Sequence, residues 1–307
     1  MTQPETATNP EIGTWVEAGG VRTNVHDRGA GEPVVLLHGS GPGVSAWANW
    51  RLTIPALERH FRVIAPDIVG FGFTERPAGI TYDLPAWRRH LRDLLDALGL
   101  PAVSLVGNSF GGALALSFAI AEPHRVRRLV LMGSVGLRFP ITEELDIVWG
   151  YEPSIANMRR LLDIFVFNRE LVSDDLAELR YRASIRPGVQ EAYRQMFPAP
   201  RQRWVDALAS PKEAIAALPH HALVIHGRED RVIPVDCSLR LFALLPRAEL
   251  HVFGRCGHWT QIEHADRFNR LVADFLASGE EAEVTGAGDA GAVEAEWPAS
   301  RHVGAAS

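Results

Sequence analysis

The stretch LVGNSFGGALAL, Leu105–Leu116, joins one apolar run to another through Gly107, Gly111 and Gly112, with a single hydroxyl, Ser109, at its centre. The run from Val103 has the length and β-branching of a buried strand; the run after Ser109 has the length and composition of a helix. Strand, Gly-x-Ser-x-Gly, helix is the context in which a serine sits on a strained turn with its oxygen projecting above a sheet. Side chains two positions either side would collide there, which accounts for both glycines. The plainer reading makes Ser109 the cap of the following helix. A nucleophile at the same place gains from the unpaired N–H groups and dipole of the helix N-terminus, which favour developing negative charge.

Working outward, PVVLLHG, RVIAPD, VSLVGNS, RLVLMGS, HALVIHG and AELHVFG read as buried strands, each closing on a turn residue. Near-continuous apolar strands alternating with helices predict a mostly parallel sheet covered on both faces. Ahead of them, TWVEAGGVRTNVHDRG sets a Gly-Gly between two alternating runs, which predicts an antiparallel edge hairpin and eight strands in all. Helices are expected at Leu84–Leu98, Ser109–Ala121, Val235–Leu245 and His264–Leu276. From Phe139 to Ala209 the alternation gives way to irregular helical patterning. That stretch, 139–209, reads as a helical lid inserted into a core formed by 14–138 and 210–277. Residues 1–13 read as a flexible segment, and 278–307, without periodicity or core residues, as a disordered acidic tail.

The 307 residues can bury a large core, and 47% hydrophobic with 22% charged residues is ordinary for a globular protein. The formal charge of −6 resides mostly beyond Ser278, where six acids face Arg301 alone; the remainder is close to neutral. Such a surface has no attraction for nucleic acid or an anionic membrane, and a small molecule is the expected partner. No apolar run reaches the roughly 18 residues of a membrane span, and the N-terminus lacks a signal pattern. Cys237 and Cys256 have neither metal spacing nor a disulfide framework, so a cytoplasmic location is expected. The sequence leaves open whether the chain works as a homo-oligomer.

A serine hydroxyl attacks only when a base takes its proton, and that base needs an acid to orient it. On a sheet of this kind the chain order is serine, acid, histidine. Asp230 in LVIHGREDRVIP and His258 in LHVFGRCGHWTQIEH follow the last two strands, so all three side chains fall on the carboxyl edge of the sheet. Glu229 is the rival acid. Read singly, Asp230 is a turn-former and His258 a loop histidine; joined to Ser109 in this order they make a triad. An oxyanion hole is the remaining need. LLHGSGPGVSAW follows the first parallel strand, and the N–H of Ser40, with that of Phe110 next to the nucleophile, is assigned to it. No Gly-Lys-Ser/Thr follows, which disfavours a phosphate loop.

Together, HGSGPGVSAWANW, RVIAPDIVGFGFTERP, GNSFGG, LVLMGSVG, VWGYEPS, HGREDRVIP and LHVFGRCGHWTQIEH resemble the meta-cleavage-product hydrolases of bacterial aromatic degradation. These are carbon–carbon bond hydrolases of the α/β-hydrolase superfamily, and the resemblance covers about Ile12 to Leu276. It implies an α/β-hydrolase fold and a ring-opened dienol acid as substrate, such as 2-hydroxymuconate semialdehyde or its 6-methyl analogue. The products would be 2-hydroxypenta-2,4-dienoate and formate or acetate, with no metal or organic cofactor. It further implies that Asn49 and Asn108 hold the oxo and carboxylate oxygens, that Arg180 pairs with the carboxylate, and that Trp259 packs on the substrate. From the residues alone, Asn108 could merely tolerate the turn, Asn49 cap a helix, and Arg180 belong to a solvated face; Arg182 and Arg186 compete with it. Ile141, Trp149, Phe165, Phe167, Met196 and Phe197 are expected around a small apolar pocket that takes a formyl or acetyl end better than a benzoyl one.

Two other classes stand beside this one. An esterase, thioesterase or lactonase would keep the triad without needing a subsite for a dienol carboxylate. A non-catalytic ligand receptor would need no complete triad. Epoxide hydrolases and haloalkane dehalogenases use an Asp nucleophile, and position 109 is Ser.

Overall fold

A computed structural model describes residues 9–278 of the chain. The acidic tail beyond Ser278 and the start of the N-terminal segment lie outside the described residues. Eight strands form one sheet: β1 (Thr14–Ala18), β2 (Val21–Arg28), β3 (Pro33–Leu37), β4 (Arg62–Pro66), β5 (Val103–Asn108), β6 (Val126–Met132), β7 (His221–Gly227) and β8 (Ala248–Phe253). Their order is β1-β2-β4-β3-β5-β6-β7-β8. β1 and β2 form the antiparallel hairpin, β2 pairs antiparallel with β4, and every pairing from β4 to β8 is parallel. The mostly parallel α/β sheet is therefore the one the apolar runs predict.

The helices are α1 (Ala46–Trp50), α2 (Ile54–Leu57), α3 (Leu84–Ala97), α4 (Phe110–Ala121), α5 (Glu143–Trp149), α6 (Ile155–Phe165), α7 (Asp174–Ser184), α8 (Val189–Met196), α9 (Gln202–Leu208), α10 (Lys212–Ala216), α11 (Val235–Leu244), α12 (Thr260–Glu263) and α13 (Ala265–Ala277). α3 starts where the side chain of Asp83 accepts the N–H of Ala86 and Pro85 fills the first turn. Its Trp87, Leu91, Leu94 and Leu95 make one buried stripe. α4 has no polar stripe, and from Phe110 to Ala119 every residue is buried. A helix apolar all round has to be enclosed, and α4 packs on the sheet at β3, β5 and β6 and against α3, α9 and α10. Behind the other face, Trp50, Phe268 and Phe275 fill a second apolar layer. The helices α5 to α9 are inserted between β6 and β7, at the carboxyl ends of the strands that carry the site.

Candidate active site

Ser109 follows β5 directly and has φ 56° and ψ −113°, a conformation L-residues rarely adopt. The flanking glycines explain how the turn closes. A Cβ on Gly107 would lie 2.4 Å from the carbonyl oxygen of Gly111, and one on Gly111 would lie 2.2 Å from that of Leu37. The turn is held by the N–H of Ser109, which donates to Met132 O at 2.9 Å, and by Ser109 O, which accepts from Gly112 N and Val135 N. As the first helical residue, Phe110 has an N–H with no intrahelical acceptor, as the oxyanion assignment requires.

Asp230 lies in the loop after β7. Its Oδ1 accepts the N–H groups of Val232 and Ile233, and its Oδ2 accepts from His258 Nδ1 at 2.7 Å. Burial alone would raise this carboxyl. The charge and hydrogen bond of His258, then the neighbouring His226, outweigh burial and hold it below the ordinary carboxylate range. Asp230 therefore stays ionised and fixes the proton of His258 on Nδ1, which leaves Nε2 able to accept one. The rival acid Glu229 is engaged elsewhere, with Arg228 and the N–H of Cys256. Gly133 lets the pair settle: a Cβ there would lie 3.3 Å from both Asp230 Oδ2 and His258 Nδ1. Ser109 and His258 border one cavity of about 220 Å³.

The loop after β3 brings Gly39 against the nucleophile, a Cβ at Gly39 falling 3.6 Å from that of Ser109. Its shape depends on His38, whose Nδ1–H donates to Gly39 O at 2.7 Å while Nε2 accepts the N–H of Ile68 at 3.0 Å. Burial pushes the His38 imidazole down to about 4, so it stays neutral and can accept that bond. Ser40 lines the cavity, and its hydroxyl accepts from the indole N–H of Trp149.

Asn49, Asn108, Arg180 and Trp259 all border the same cavity. Asn49 Oδ1 accepts the N–H of Gly39, while its buried Nδ2 has no partner and is a donor open to a ligand. Asn108 Nδ2 reaches Met132 O at 3.5 Å. Arg180 emerges from α7 buried, donating to Gly43 O and pairing with Glu11 at 3.1 Å. Its competitors lie elsewhere: Arg182 pairs with Glu178 along the helix surface, and Arg186 sits over the ring of Phe73. Trp259 stacks on Phe165 with ring centroids 4.9 Å apart.

Several lining residues escape the sequence reading. Of the six inserted residues expected at the pocket only Phe165 borders it; Leu145, Val148, Met158 and Leu162 are its neighbours there. Trp149 and Phe197 instead stack on each other at 4.5 Å, and Phe167 is partly exposed at the surface, with Arg255 over its ring. The helical spacing of Leu145 with Val148, and of Met158 with Leu162 and Phe165, is the signal that points to one face. Gln261 and Arg51 also line the cavity, as does Glu11, which is buried although it falls in the segment expected to be flexible.

A model of the alpha/beta hydrolase fold matches residues 32–265. Fold and triad together define a serine-type α/β-hydrolase. The chain is 65% identical over 273 residues to the 2-hydroxy-6-oxo-2,4-heptadienoate hydrolase of Pseudomonas putida strain F1, covering 89% of this chain and 99% of that protein. It is 62% identical to the 2-hydroxymuconate semialdehyde hydrolase of Pseudomonas sp. strain CF600, over 93% of this chain and all of that one. A crystal structure of the meta-cleavage product hydrolase of Pseudomonas fluorescens IP01, a serine-to-alanine variant complexed with acetates, superposes with a TM-score of 0.87 at 61% identity, covering 87% and 98% of the two chains. This chain belongs to the meta-cleavage-product hydrolases and is a carbon–carbon bond hydrolase.

Proposed function

We propose that this enzyme hydrolyses 2-hydroxymuconate semialdehyde, or its 6-methyl analogue, to 2-hydroxypenta-2,4-dienoate and formate or acetate. The observation that carries the reading is one cavity bordered by both Ser109 and a set of groups suited to a carboxylate: Arg180, Asn108 and the free Nδ2 of Asn49. An ester hydrolase has no need of that second set. The apolar lining comes chiefly from α5 and α6, through Leu145, Val148, Met158, Leu162 and Phe165, and a small acyl group is the preference we read for it. The two relatives named above, whose names specify a semialdehyde and a methyl ketone, support the same preference.

In this reading the dienol first becomes its keto tautomer, placing an electron sink beside the bond to be broken. Ser109, deprotonated by His258, attacks the terminal carbonyl, and the N–H groups of Ser40 and Phe110 receive the developing oxyanion. Collapse expels a dienolate, which takes a proton, and leaves a formyl or acetyl ester on Ser109. Water activated by His258 then releases the acid and restores the serine. Arg180 offers the substrate carboxylate a charge-assisted, forked set of donors, and Trp259 flanks the chain. Among the described residues no helix is long and apolar enough to cross a membrane, and both cysteines are free and buried, which fits a cytoplasmic enzyme.

Loss of the visible colour of 2-hydroxymuconate semialdehyde tests the proposal. The enzyme should bleach it, Ser109→Ala should slow turnover by about 10³-fold or more, and a phenyl-substituted analogue should turn over far more slowly. Persistent colour with the unaltered enzyme removes the substrate; rapid turnover of the phenyl analogue removes the small pocket.

A further inference from the structure

Arg180 already has a carboxylate. Oε1 of Glu11 lies 3.1 Å from its Nη1, and Oε2 of the same side chain accepts the hydroxyl of Ser45 at 2.6 Å. Glu11 is itself fixed, because its backbone carbonyl accepts from Asn24 Nδ2 at 2.9 Å, and both Glu11 and Arg180 border the cavity with Ser109. The pair is almost enclosed, with side-chain exposures of 10% for Arg180 and 12% for Glu11. A charge pair so poorly solvated interacts far more strongly than one on the surface. An ion pair used only to tie the N-terminal segment to α7 needs no position on the cavity wall.

We propose that Glu11 is the resident counter-carboxylate of the anion subsite, so that substrate binding is an exchange or sharing of anions at Arg180. This inference rests on the reading that Arg180 receives the substrate carboxylate. The physical consequence is a deliberately weakened hold. Both the dienol substrate and its dienoate product carry the carboxylate, so an Arg180 without competition would bind each more tightly and release the product more slowly. Glu11 returns to the guanidinium as the product leaves, which spares the site a buried, unpaired cation. Glu11 is thus a positioning residue that sets affinity and release without touching the scissile bond.

The test uses hexa-2,4-dienoate, a stable dienoic acid with no cleavable carbonyl, titrated against the full-length enzyme by quenching of tryptophan fluorescence; Trp47 and Trp259 line the cavity. Glu11→Gln should bind this anion about tenfold more tightly or better, Arg180→Gln should bind it more weakly, and the double variant should show no gain. With the ring-opened substrate, Glu11→Gln should lower KM and kcat together, a split that a merely structural tie would not produce. Should Glu11→Gln fail to fold, Glu11→Asp, which keeps the charge but withdraws it by one methylene, carries the same expectation with a smaller gain. If Arg180→Gln weakens the anion while neither Glu11 variant tightens it, the role of Glu11 is overturned and that of Arg180 stands. If Arg180→Gln leaves binding unchanged, the carboxylate reading itself falls.

Discussion

The indole N–H of Trp149 donates to the hydroxyl of Ser40 at 2.9 Å, tying α5 to the loop assigned to the oxyanion hole across 109 positions of sequence. Trp149 is in turn clamped by Phe197, whose ring lies parallel to it at 3°. Trp149→Phe keeps an aromatic ring on Phe197 and removes only the tie. A hydrogen bond of this kind contributes about 1 kcal/mol net, so kcat should fall by roughly five- to tenfold with little change in folding. Steady-state kinetics beside a thermal midpoint check both; unchanged kcat would show that the loop holds its shape without α5.

The strained backbone of Ser109 predicts an inversion between activity and stability. Ser109→Ala and Ser109→Gly both remove the nucleophile, but only glycine accepts φ 56° with ψ −113° at low cost. Ser109→Gly should be more stable than Ser109→Ala by about 1 kcal/mol, less whatever glycine adds to the entropy of the unfolded chain. Urea denaturation of the two inactive variants decides this, and a less stable glycine variant would contradict the assigned strain.

Two buried histidines predict how stability depends on pH. The consecutive N–H groups of Ile68 and Val69 donate to His38 Nε2 and His90 Nδ1. Burial pushes both imidazoles from 6.5 down to about 4. Unfolded, each takes its proton near 6.5; folded, each resists until about 4. Their stabilising effect is therefore complete above pH 6.5 and lost as pH falls toward 4, by up to about 3 kcal/mol each. His26 and His226 shift the same way. Asp67 opposes them: burial raises its carboxyl from 3.8 to about 6, so between those values the folded chain holds a proton that the unfolded chain has lost. The urea midpoint should fall from pH 7 to 4.5, less steeply below 6 than the histidines alone would require. His90→Asn should lower the midpoint at pH 7 and flatten the profile.

Gly133 combines φ +51° with contact to the triad, a Cβ there lying 3.3 Å from Asp230 Oδ2 and from His258 Nδ1. Gly133→Ala should reduce kcat by about tenfold or more through displacement of the base, since small misplacements are costly in catalysis. Its KM should change little. Equal losses in stability and none in kcat would place the constraint in the backbone alone.

The strands, and the order Ser109, Asp230, His258 proposed as the triad, are legible in the chain because both are local signals. β3 to β8 are short apolar runs ending in turn residues, and Ser109, Asp230 and His258 each follow one. Within α5 and α6 helical spacing marks the cavity face, whereas the size of an aromatic side chain does not; Trp149 and Phe197 stack on each other away from the cavity. Glu11 had no signal. Its partner lies 169 positions away, and neither the polar run around it nor its spacing marks a residue whose role arises only when the chain closes. His38 belongs with it: the glycines beside it announce a loop, but the acceptor role toward Ile68 belongs to the fold.

The carbonyl oxygen of Phe165, the last residue of α6, accepts the backbone N–H groups of His258 at 2.8 Å and Trp259 at 3.2 Å. The inserted helices are therefore not an independent module that a relative's helices could replace wholesale to rewrite acyl preference. A chimaera whose graft ends ahead of Phe165 exchanges most of the cavity ceiling and keeps the proton acceptor aligned. A seam placed beyond it puts substrate choice and reactivity on the same cut.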